Sequence, residues 1–521
     1  MSERFDWIIR GARIADGSGT PAFIGDIGLR GDRIAKIGSL GQATAQEEIA
    51  AEGRVLAPGF VDSHLHTDLM LMAEPDQAPC IAQGITSHVI GQDGVSYAPA
   101  SLPTQRHFRD YFAAINGDPA VPKAWKSVAE FLDAVDGAAV NAVYLVPHGT
   151  VRYEVMGHDD RPPTAKELAA MRAFVTQGMA EGAVGLSTGL EYLPGAYAST
   201  DELVALCEPV GLAQGVYVTH MRSYHADKVV AAFQETVEIG RRARLPVHIS
   251  HFNGRAEQLV PLLDAARAAG SDLSYETYPY LAGCTILAMT GLPKWVQEGG
   301  GEPTLRRLAD PAIRRRLAEW FAAPGYASWN SFQITLADLP GDKELEGLRL
   351  DEAARRRGQE IGDFVCDLLI RNRFRVAAII HHTTRTEADM IALMQRPEHM
   401  AGSDAIYTGS KPHPRGWGSF ARYLNYAHCE RVMTLEAMVQ HLSERPARRF
   451  GLHQRGRIRP GWFADLVLFD PDKIQARATY EQGNLLAAGM DWVFVNGRPA
   501  LAAGQLTGAR AGRAVRLQPT G

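Results

Sequence analysis

Apolar residues recur along the middle of the chain in short runs rich in Val, Ile and Leu, and a stretch with helical character follows each run. Continuous apolar strands that alternate with helices are typical of a parallel sheet covered on both faces. Eight such runs indicate closure into a (β/α)8 barrel. The predicted strands are residues 58–64, 85–92, 142–148, 183–188, 216–220, 246–251, 272–276 and 400–404.

Both ends of the chain show a different pattern, in which apolar and polar residues alternate between glycine-containing turns. Residues 6–14 and 26–37 near one end, and 461–470 and 491–498 near the other, are typical of short β-strands. Because the two ends of a chain commonly lie near one another, we predict that they form a single small domain.

The predicted architecture is therefore α/β, a TIM-like (β/α)8 barrel with a small β-sandwich built from both chain ends. The sandwich takes residues 1–57 and 452–521, and the barrel takes residues 58–451. An insertion over about residues 285–345 is expected to cover the open face of the barrel.

Composition narrows the class of protein without identifying it. The 521 residues are 46% hydrophobic and 22% charged, with a net charge of −5, which does not favour nucleic acid or an anionic membrane as a partner. Five scattered cysteines argue against a disulfide framework. The sequence has no signal-peptide core and no run of about 18 apolar residues, so we expect a cytoplasmic protein.

Polar residues with metal-binding or acid–base chemistry fall at the ends of six predicted strands. In a barrel the carboxyl ends of all strands open on one face, so these side chains converge on one pocket. Zinc and similar ions need several His or carboxylate ligands, which separate strands can supply. The residues are His64, His66, Asp93, His148, His220, His251 and Asp404.

The pair His64-Leu65-His66 is the strongest local signal. Alternate residues of a strand point the same way, so both imidazoles can reach one ion. Two histidines in a turn that bond to nearby backbone are the alternative, but the preceding Pro-Gly-Phe-Val-Asp indicates a strand that ends at the pair.

His220 and His251 each end an apolar run. A single histidine at a strand end is more often a buried structural group than a ligand, but two on successive strands, together with the pair, indicate a metal site. His248 has an odd offset from His251, points to the opposite face and is expected to be structural.

Asp404, in Ala-Gly-Ser-Asp, is the predicted catalytic group. A carboxylate beside a metal-activated water can accept its proton and pass it to the leaving amine. An Asx-turn or a helix N-cap is the alternative role for Ser-Asp. Gly-x-Ser-x-Gly, P-loop and dinucleotide-binding motifs are absent, which disfavours serine hydrolases and nucleotide-binding enzymes.

Six segments of the sequence resemble the amidohydrolase superfamily, in particular the D-aminoacylase family of N-acyl-D-amino-acid deacylases. The resemblance implies a barrel with a β-sandwich, zinc as one or two divalent ions, and hydrolysis of an acyl–amine bond. The segments that carry it are PGFVDSHLHTD (58–68), HGTVRYEVMG (148–157), GLSTGLEYLPG (185–195), ETYPYLAG (276–283), HPRGWGSFAR (413–422) and GWFADLVLFD (461–470).

The resemblance also implies roles for individual residues. His220 and His251 match a tight metal site, whereas His64, His66 and Asp404 match a weaker one, with Asp404 also the acid/base. Tyr192 and Tyr278 match positions near the substrate. Asp93, in Gly-Gln-Asp-Gly, stands where the family has a cysteine ligand. A carboxylate also binds zinc and can bridge two ions, so the resemblance keeps Asp93 as a ligand.

Two substitutions alter the expected substrate contacts. Asn253 stands where the family has a lysine that pairs with the substrate carboxylate, and Cys284 replaces a serine that assists it. Loss of the charge-assisted bond costs about 1.5–3 kcal/mol. Arg222 or Arg152 could supply a replacement cation.

Three functions are therefore compared. The first is deacylation of N-acyl-D-amino acids or close analogues, and the second is hydantoinase-like hydrolysis of a neutral, cyclic or xenobiotic amide, which Asn253 favours. The third is a barrel without catalysis, which the six metal-competent positions disfavour. The expected partner is a small-molecule amide, and the sequence is compatible with a homo-oligomer.

Overall fold

A computed structural model of the chain describes residues 3–121, 124–322, 332–336, 342–381 and 385–518, with only the backbone path for 332–336. Parts of the predicted insertion, residues 323–331 and 337–341, lie outside the described residues.

Twenty strands are assigned within these ranges, in three sheets. In chain order they are β1 (Arg4–Ile14), β2 (Phe23–Arg30), β3 (Arg33–Gly38), β4 (Thr44–Ala50), β5 (Val55–Pro58), β6 (Phe60–Asp62), β7 (Ile85–Ile90), β8 (Asn141–Pro147), β9 (Gly185–Gly189), β10 (Val216–His220), β11 (Val247–Ile249), β12 (Leu273–Glu276), β13 (Ala282–Ile286), β14 (Phe332–Leu336), β15 (Val376–His381), β16 (His399–Met400), β17 (Leu466–Phe469), β18 (Met490–Val495), β19 (Arg498–Ala502) and β20 (Gln505–Leu506).

Eight parallel strands, β6 to β12 and β16, form the central sheet, and each pairs with the next along the chain. The first and last strands also meet, because the Ser63 amide donates to the Ala401 carbonyl at 3.2 Å and the Asp404 amide donates to the His64 carbonyl at 2.8 Å. The sheet therefore closes on itself, and the predicted TIM-like (β/α)8 barrel is confirmed.

Helices follow the barrel strands and cover their outer faces. The α-helices of the described residues are α1 (Met70–Ala73), α2 (Ala78–Ile81), α3 (Leu102–Tyr111), α4 (Ala113–Asn116), α5 (Val128–Val135), α6 (His148–Met156), α7 (Ala165–Ala180), α8 (Thr200–Leu212), α9 (Val229–Ala243), α10 (Ala256–Ala268), α11 (Leu287–Gly291), α12 (Lys294–Gln297), α13 (Gly301–Ala309), α14 (Pro311–Ala322), α15 (Leu350–Arg356), α16 (Ile361–Arg371), α17 (Glu387–Met394), α18 (Arg415–His428), α19 (Leu435–Leu442) and α20 (Glu444–Arg449).

The chain ends share one nine-stranded sheet, made of β1 to β5 and β17 to β20. The two ends join where β17 pairs antiparallel with β5, with Leu468 opposite Leu56. A separate apolar core lies on this sheet and draws side chains from both ends, including Ile27 and Phe494. Burial of this shared surface is the reason that distant parts of the sequence fold as one unit.

Between β12 and β16 the chain leaves the barrel to form a small antiparallel sheet of β13, β15 and β14, with α11 to α16 around it. Cys284 on β13 lies opposite Ile379 on β15. This sheet brings β13 to the barrel rim, because the Cys284 carbonyl accepts a hydrogen bond from Arg415 at the start of α18.

Within the part of the chain that the structure describes, no helix combines the length and the hydropathy that a bilayer crossing requires.

Candidate active site

His64 and His66 lie just beyond the carboxyl end of β6, in a segment that runs parallel to the loop carrying Asp404. Leu65 bridges to Ala405, and the His66 amide donates to the Ala405 carbonyl at 3.0 Å. Because successive residues of an extended segment point to opposite sides, His64 and His66 share the side opposite to that of Leu65. The barrel closure therefore also brings both imidazoles to Asp404.

One group of possible metal ligands consists of His64, His66 and Asp404, all buried. The Nε2 atoms of His64 and His66 lie 3.6 Å and 3.3 Å from Oδ1 of Asp404. Ligand atoms about 2 Å from a shared ion are separated by distances of this order.

A second group shares His64 and adds Asp93 and His251. Oδ1 of Asp93 lies 3.6 Å from Nε2 of His64 and 3.8 Å from Nε2 of His251. Nδ1 of His220 lies 3.0 Å from Nε2 of His251 and 3.9 Å from Oδ2 of Asp93. Asp93 therefore faces all four imidazoles, since Oδ2 also lies 3.7 Å from His66.

Three of the six predicted metal ligands have left-handed backbone conformations. The φ angles are 56° at Asp93, 34° at His251 and 51° at Asp404. Non-glycine residues rarely adopt positive φ, and such strain is concentrated at functional sites. The folded chain thus holds these side chains in positions that ordinary strand or helix geometry does not give.

The donor set fits a divalent metal. Nε2 of His64 and Oδ1 of Asp93 are buried and have no hydrogen-bond partner among the described residues. Buried polar atoms are usually satisfied, so atoms that converge without partners indicate a ligand. Imidazoles and carboxylates are ligands that zinc accepts, and the two groups that share His64 offer space for one or two ions.

Two glutamates contact the far sides of the histidine rings. Oε1 of Glu276 lies 2.8 Å from Nδ1 of His64, and Oε2 of Glu191 lies 2.8 Å from Nε2 of His220. Glu276 also binds His248 and accepts a hydrogen bond from the His251 amide. Carboxylates in this position fix the ring orientation of a metal-binding histidine. His248 thus has the structural environment that its offset predicts.

Sequence reasoning overlooked both glutamates. Glu276 ends β12 and begins ETYPYLAG, so its position at a strand end was a usable signal, whereas the segment containing Glu191 gave no indication of a contact with His220.

The charges of the site stabilise its carboxylates in the ionised form. Burial raises the pKa of Asp93, but the imidazoles of His64, His251 and His220 outweigh burial and hold that pKa well below its ordinary value. Burial likewise raises the pKa of Asp404, while Arg415 and His66 bring it down to about 2. Both groups are therefore anionic at neutral pH, as ligands and proton acceptors must be.

Arg415, also overlooked, is the nearest cation to Asp404. Its Nη1 lies 2.8 Å from Oδ2 of Asp404, and its Nη2 donates to the Cys284 carbonyl at 3.2 Å. The guanidinium carbon lies 4.7 Å from the centre of the Tyr278 ring. Arg415 lies in HPRGWGSFAR, eleven residues after Asp404, and it is fully buried.

Two other predicted substrate contacts, Tyr192 and Asn253, have partners of their own. The Tyr192 ring is 4.9 Å from that of His220, and its hydroxyl is 3.0 Å from the Thr285 hydroxyl. The half-buried Asn253 accepts a hydrogen bond from Thr277 at 2.5 Å.

Arg222 behaves differently from the sequence-based hypothesis. Its guanidinium binds Glu235 and the carbonyls of Ala196 and Ala198, so all three nitrogens are occupied. Arg152 is likewise held by Glu202. Protein groups therefore hold both guanidinium groups, which disfavours the hypothesis that one of these arginines replaces the missing lysine.

The fold and the donor set define the class of protein. Four imidazoles and two carboxylates that converge at the carboxyl ends of a parallel barrel are the equipment of a metal-dependent hydrolase.

Comparison with known proteins gives the family. The model of the amidohydrolase family matches residues 47–500, and the chain belongs to this family. It is a metal-dependent amidohydrolase that acts on non-peptide C–N bonds.

Two curated relatives come from Alcaligenes xylosoxydans xylosoxydans. A D-aminoacylase is 37% identical over 522 residues, covering 98% of each chain. An N-acyl-D-glutamate deacylase is 34% identical over 507 residues, covering 95% of this chain and 94% of the relative.

A crystal structure of N-acyl-D-glutamate deacylase from Bordetella bronchiseptica, in complex with zinc and a phosphonate inhibitor that mimics the tetrahedral intermediate, is 33% identical. Its TM-score against this chain is 0.84, and the match covers 99% of this chain and 100% of the other.

Proposed function

We propose that the chain is a zinc-dependent deacylase of N-acyl-D-amino acids, and that His64, His66, Asp93, His220, His251 and Asp404 hold the metal. The observation that carries the proposal is the buried guanidinium of Arg415 beside Asp404. A cation at that point suits a substrate that carries a carboxylate next to the amide to be cut. The names of the relatives support the D configuration.

Each residue then has a chemical task. A divalent metal bound by these ligands would polarise the amide carbonyl and supply hydroxide at neutral pH. Asp404 accepts the proton of the attacking water at its carboxylate and returns it to the nitrogen of the leaving amine. Arg415 binds the α-carboxylate and thereby fixes which face of the amide meets Asp404. Tyr192, whose pKa burial raises well above its ordinary value, keeps its proton and can donate to the oxyanion.

Two further residues border the substrate in this proposal. Tyr278 stacks beside Arg415, and Cys284 offers its carbonyl to the same guanidinium. The pKa of the Cys284 thiol is raised to about 12 by burial, so this side chain is neutral. Asn253 is an uncharged residue of the proposed pocket, and its side-chain oxygen accepts a hydrogen bond from Thr277.

Asn253 is the observation that favours the second candidate, hydrolysis of a neutral or cyclic amide. The two candidates differ in whether the substrate must present a carboxylate. N-acetyl-D-amino acids, their L enantiomers and hydantoins should therefore be compared as substrates of the zinc-loaded enzyme. We expect turnover of the D compounds alone. Hydrolysis of hydantoins without turnover of any N-acetyl-D-amino acid would refute the proposal in favour of the second candidate.

The metal is tested separately. Elemental analysis should find zinc in the purified enzyme, and a chelator should abolish activity, which added zinc restores. A protein that carries no divalent metal and retains full activity would contradict the proposal. The cytoplasmic location and the oligomeric state stay predictions from the sequence.

A further inference from the structure

A second buried arginine lies against the same tyrosine as Arg415. Arg385 stands between β15 and α17, and only 5% of its surface is exposed. Its guanidinium carbon lies 5.5 Å from the centre of the Tyr278 ring, the ring that Arg415 also contacts. The Tyr278 ring thus contacts two arginines, which come from segments that are separate in sequence.

Two of the three guanidinium nitrogens of Arg385 make no hydrogen bond to a described residue. One nitrogen, Nη2, donates to the Tyr280 carbonyl, while Nε and Nη1 have no hydrogen-bond partner among the residues described. In the same set of residues no carboxylate lies within ion-pair distance of Arg385. Other buried arginines differ, since Arg152 contacts Glu202 and Arg455 contacts Asp465. A buried cation without a counter-ion is costly, so its persistence indicates that a ligand supplies the anion.

The described residues around Arg385 offer no substitute for that anion. The groups with the largest influence on its charge are Tyr278, which also interacts with it as a side-chain hydrogen-bond partner, Tyr480 and the like-charged Arg415. Tyr278 is a neutral phenol, because burial raises its pKa above the ordinary value. His413, whose ring lies 6.4 Å from that of Tyr278, is also neutral, because burial holds its pKa well below the ordinary value. Two guanidinium groups therefore contact one neutral aromatic ring.

We propose that Arg385 binds a second carboxylate of the substrate and makes this enzyme selective for N-acyl derivatives of acidic D-amino acids. The inference rests on the proposed function, in which Arg415 takes the α-carboxylate. Arg385 then binds the carboxylate of an aspartyl or glutamyl side chain through its charge and through a charge-assisted hydrogen bond from Nε or Nη1.

The test compares matched acidic and neutral substrates. For the wild-type enzyme we expect kcat/KM for the better of N-acetyl-D-glutamate and N-acetyl-D-aspartate to exceed that for its amide, N-acetyl-D-glutamine or N-acetyl-D-asparagine, by about tenfold or more. Which acid is preferred shows the length of side chain that reaches Arg385. Arg385→Met should remove this preference, mainly through KM, and should raise the relative rate with N-acetyl-D-methionine. Arg385→Lys should retain part of the preference.

Arg422→Met is the matched control. Arg422 is also an arginine stacked on a tyrosine, 4.6 Å from the Tyr280 ring, but it makes no cation–ring contact with Tyr278. Its replacement removes one positive charge from the neighbourhood and should leave the acid-to-amide ratio unchanged. A similar loss of the ratio in Arg422→Met and Arg385→Met would attribute selectivity to general charge and overturn the inference.

The inference and the function fail in different ways. Equal rates with acids and amides in the wild-type enzyme, or an unchanged ratio in Arg385→Met, would overturn the role of Arg385 while leaving D-amino-acid deacylation intact. No turnover of any N-acetyl-D-amino acid would overturn both. If Arg385→Met does not fold, inhibition of the wild-type enzyme decides instead: free D-glutamate or D-aspartate should inhibit at least tenfold more strongly than its amide, and equal inhibition would overturn the inference.

Discussion

The proposed pocket has a metal-binding half and a substrate half, and the two differ in whether charged side chains are paired within the protein. In the metal-binding half, His64 and His220 each have a glutamate behind the ring, so the positive charge of these groups is balanced within the protein. In the proposed substrate half, Arg385 is buried with no counter-ion among the described residues, and Arg415 contacts one carboxylate that also faces the histidines.

This difference follows from what each half has to bind. Ligands for a cation must be oriented before the ion arrives, and carboxylates behind histidines provide that orientation. A pocket for an anion works only if its cations remain available, so balancing them within the protein would remove the site. A local charge imbalance thus indicates where a substrate binds, and a local balance indicates where a metal is held.

The largest expected effect comes from Asp404, where the two halves meet. Asp404→Asn keeps the size of the side chain but removes its ability to accept a proton, so kcat should fall by about 10²–10⁴-fold. His64, His66, Asp93, His220 and His251 remain as ligands, and bound metal should be largely retained. Steady-state kinetics and elemental analysis of the same preparation check this, and near-normal turnover would contradict the catalytic role.

Arg415 should have the next largest effect. Arg415→Met leaves the α-carboxylate of the substrate without its partner, and kcat/KM should fall by about 10- to 150-fold, given about 1.5–3 kcal/mol for a charged hydrogen bond. A neutral substrate, an N-acetyl-D-amino-acid amide, should lose much less. Equal losses with both substrates would mean that Arg415 acts only by positioning Asp404, and that the substrate half does not recognise a carboxylate through it.

The barrel could be predicted from the sequence because its strands are buried on both faces. Such strands are uninterrupted apolar runs, and each of the eight predicted runs overlaps a barrel strand. The histidine pair could be predicted for a related reason, since two polar residues at alternate positions directly follow one of these runs.

Contacts between distant segments could not be predicted in the same way. Arg222 looks free in the sequence, but helix α9 returns Glu235 to it, 13 residues later. The pairing of Glu276 with His64 spans more than 200 residues, and no local pattern records it. The small sheet of β13 to β15 interrupts the βα alternation, and the sequence pattern indicated only an insertion in this region.

Replacing a residue that orients a metal ligand should reduce activity less than replacing Asp404 or Arg415. Glu276→Gln keeps the shape of the side chain but removes the charge that orients His64, and metal affinity should fall by 10–100-fold. Dialysis against graded chelator, followed by elemental analysis, measures this without reference to activity. The loss of activity should be recovered at high zinc concentration, and a variant that binds zinc as tightly as the wild type would contradict the role.

Glu191→Gln should give the smallest effect and so calibrates the comparison. Glu191 stands behind His220 at the same 2.8 Å as Glu276 behind His64, but a quarter of its side chain is exposed, whereas Glu276 is fully buried. Water can replace part of an exposed contact and screens its charge, so metal affinity should fall by only a few-fold. The same chelator titration checks the order of the two variants. If Glu191→Gln loses metal as readily as Glu276→Gln, orientation of the ring decides metal retention, and burial of the balancing charge does not.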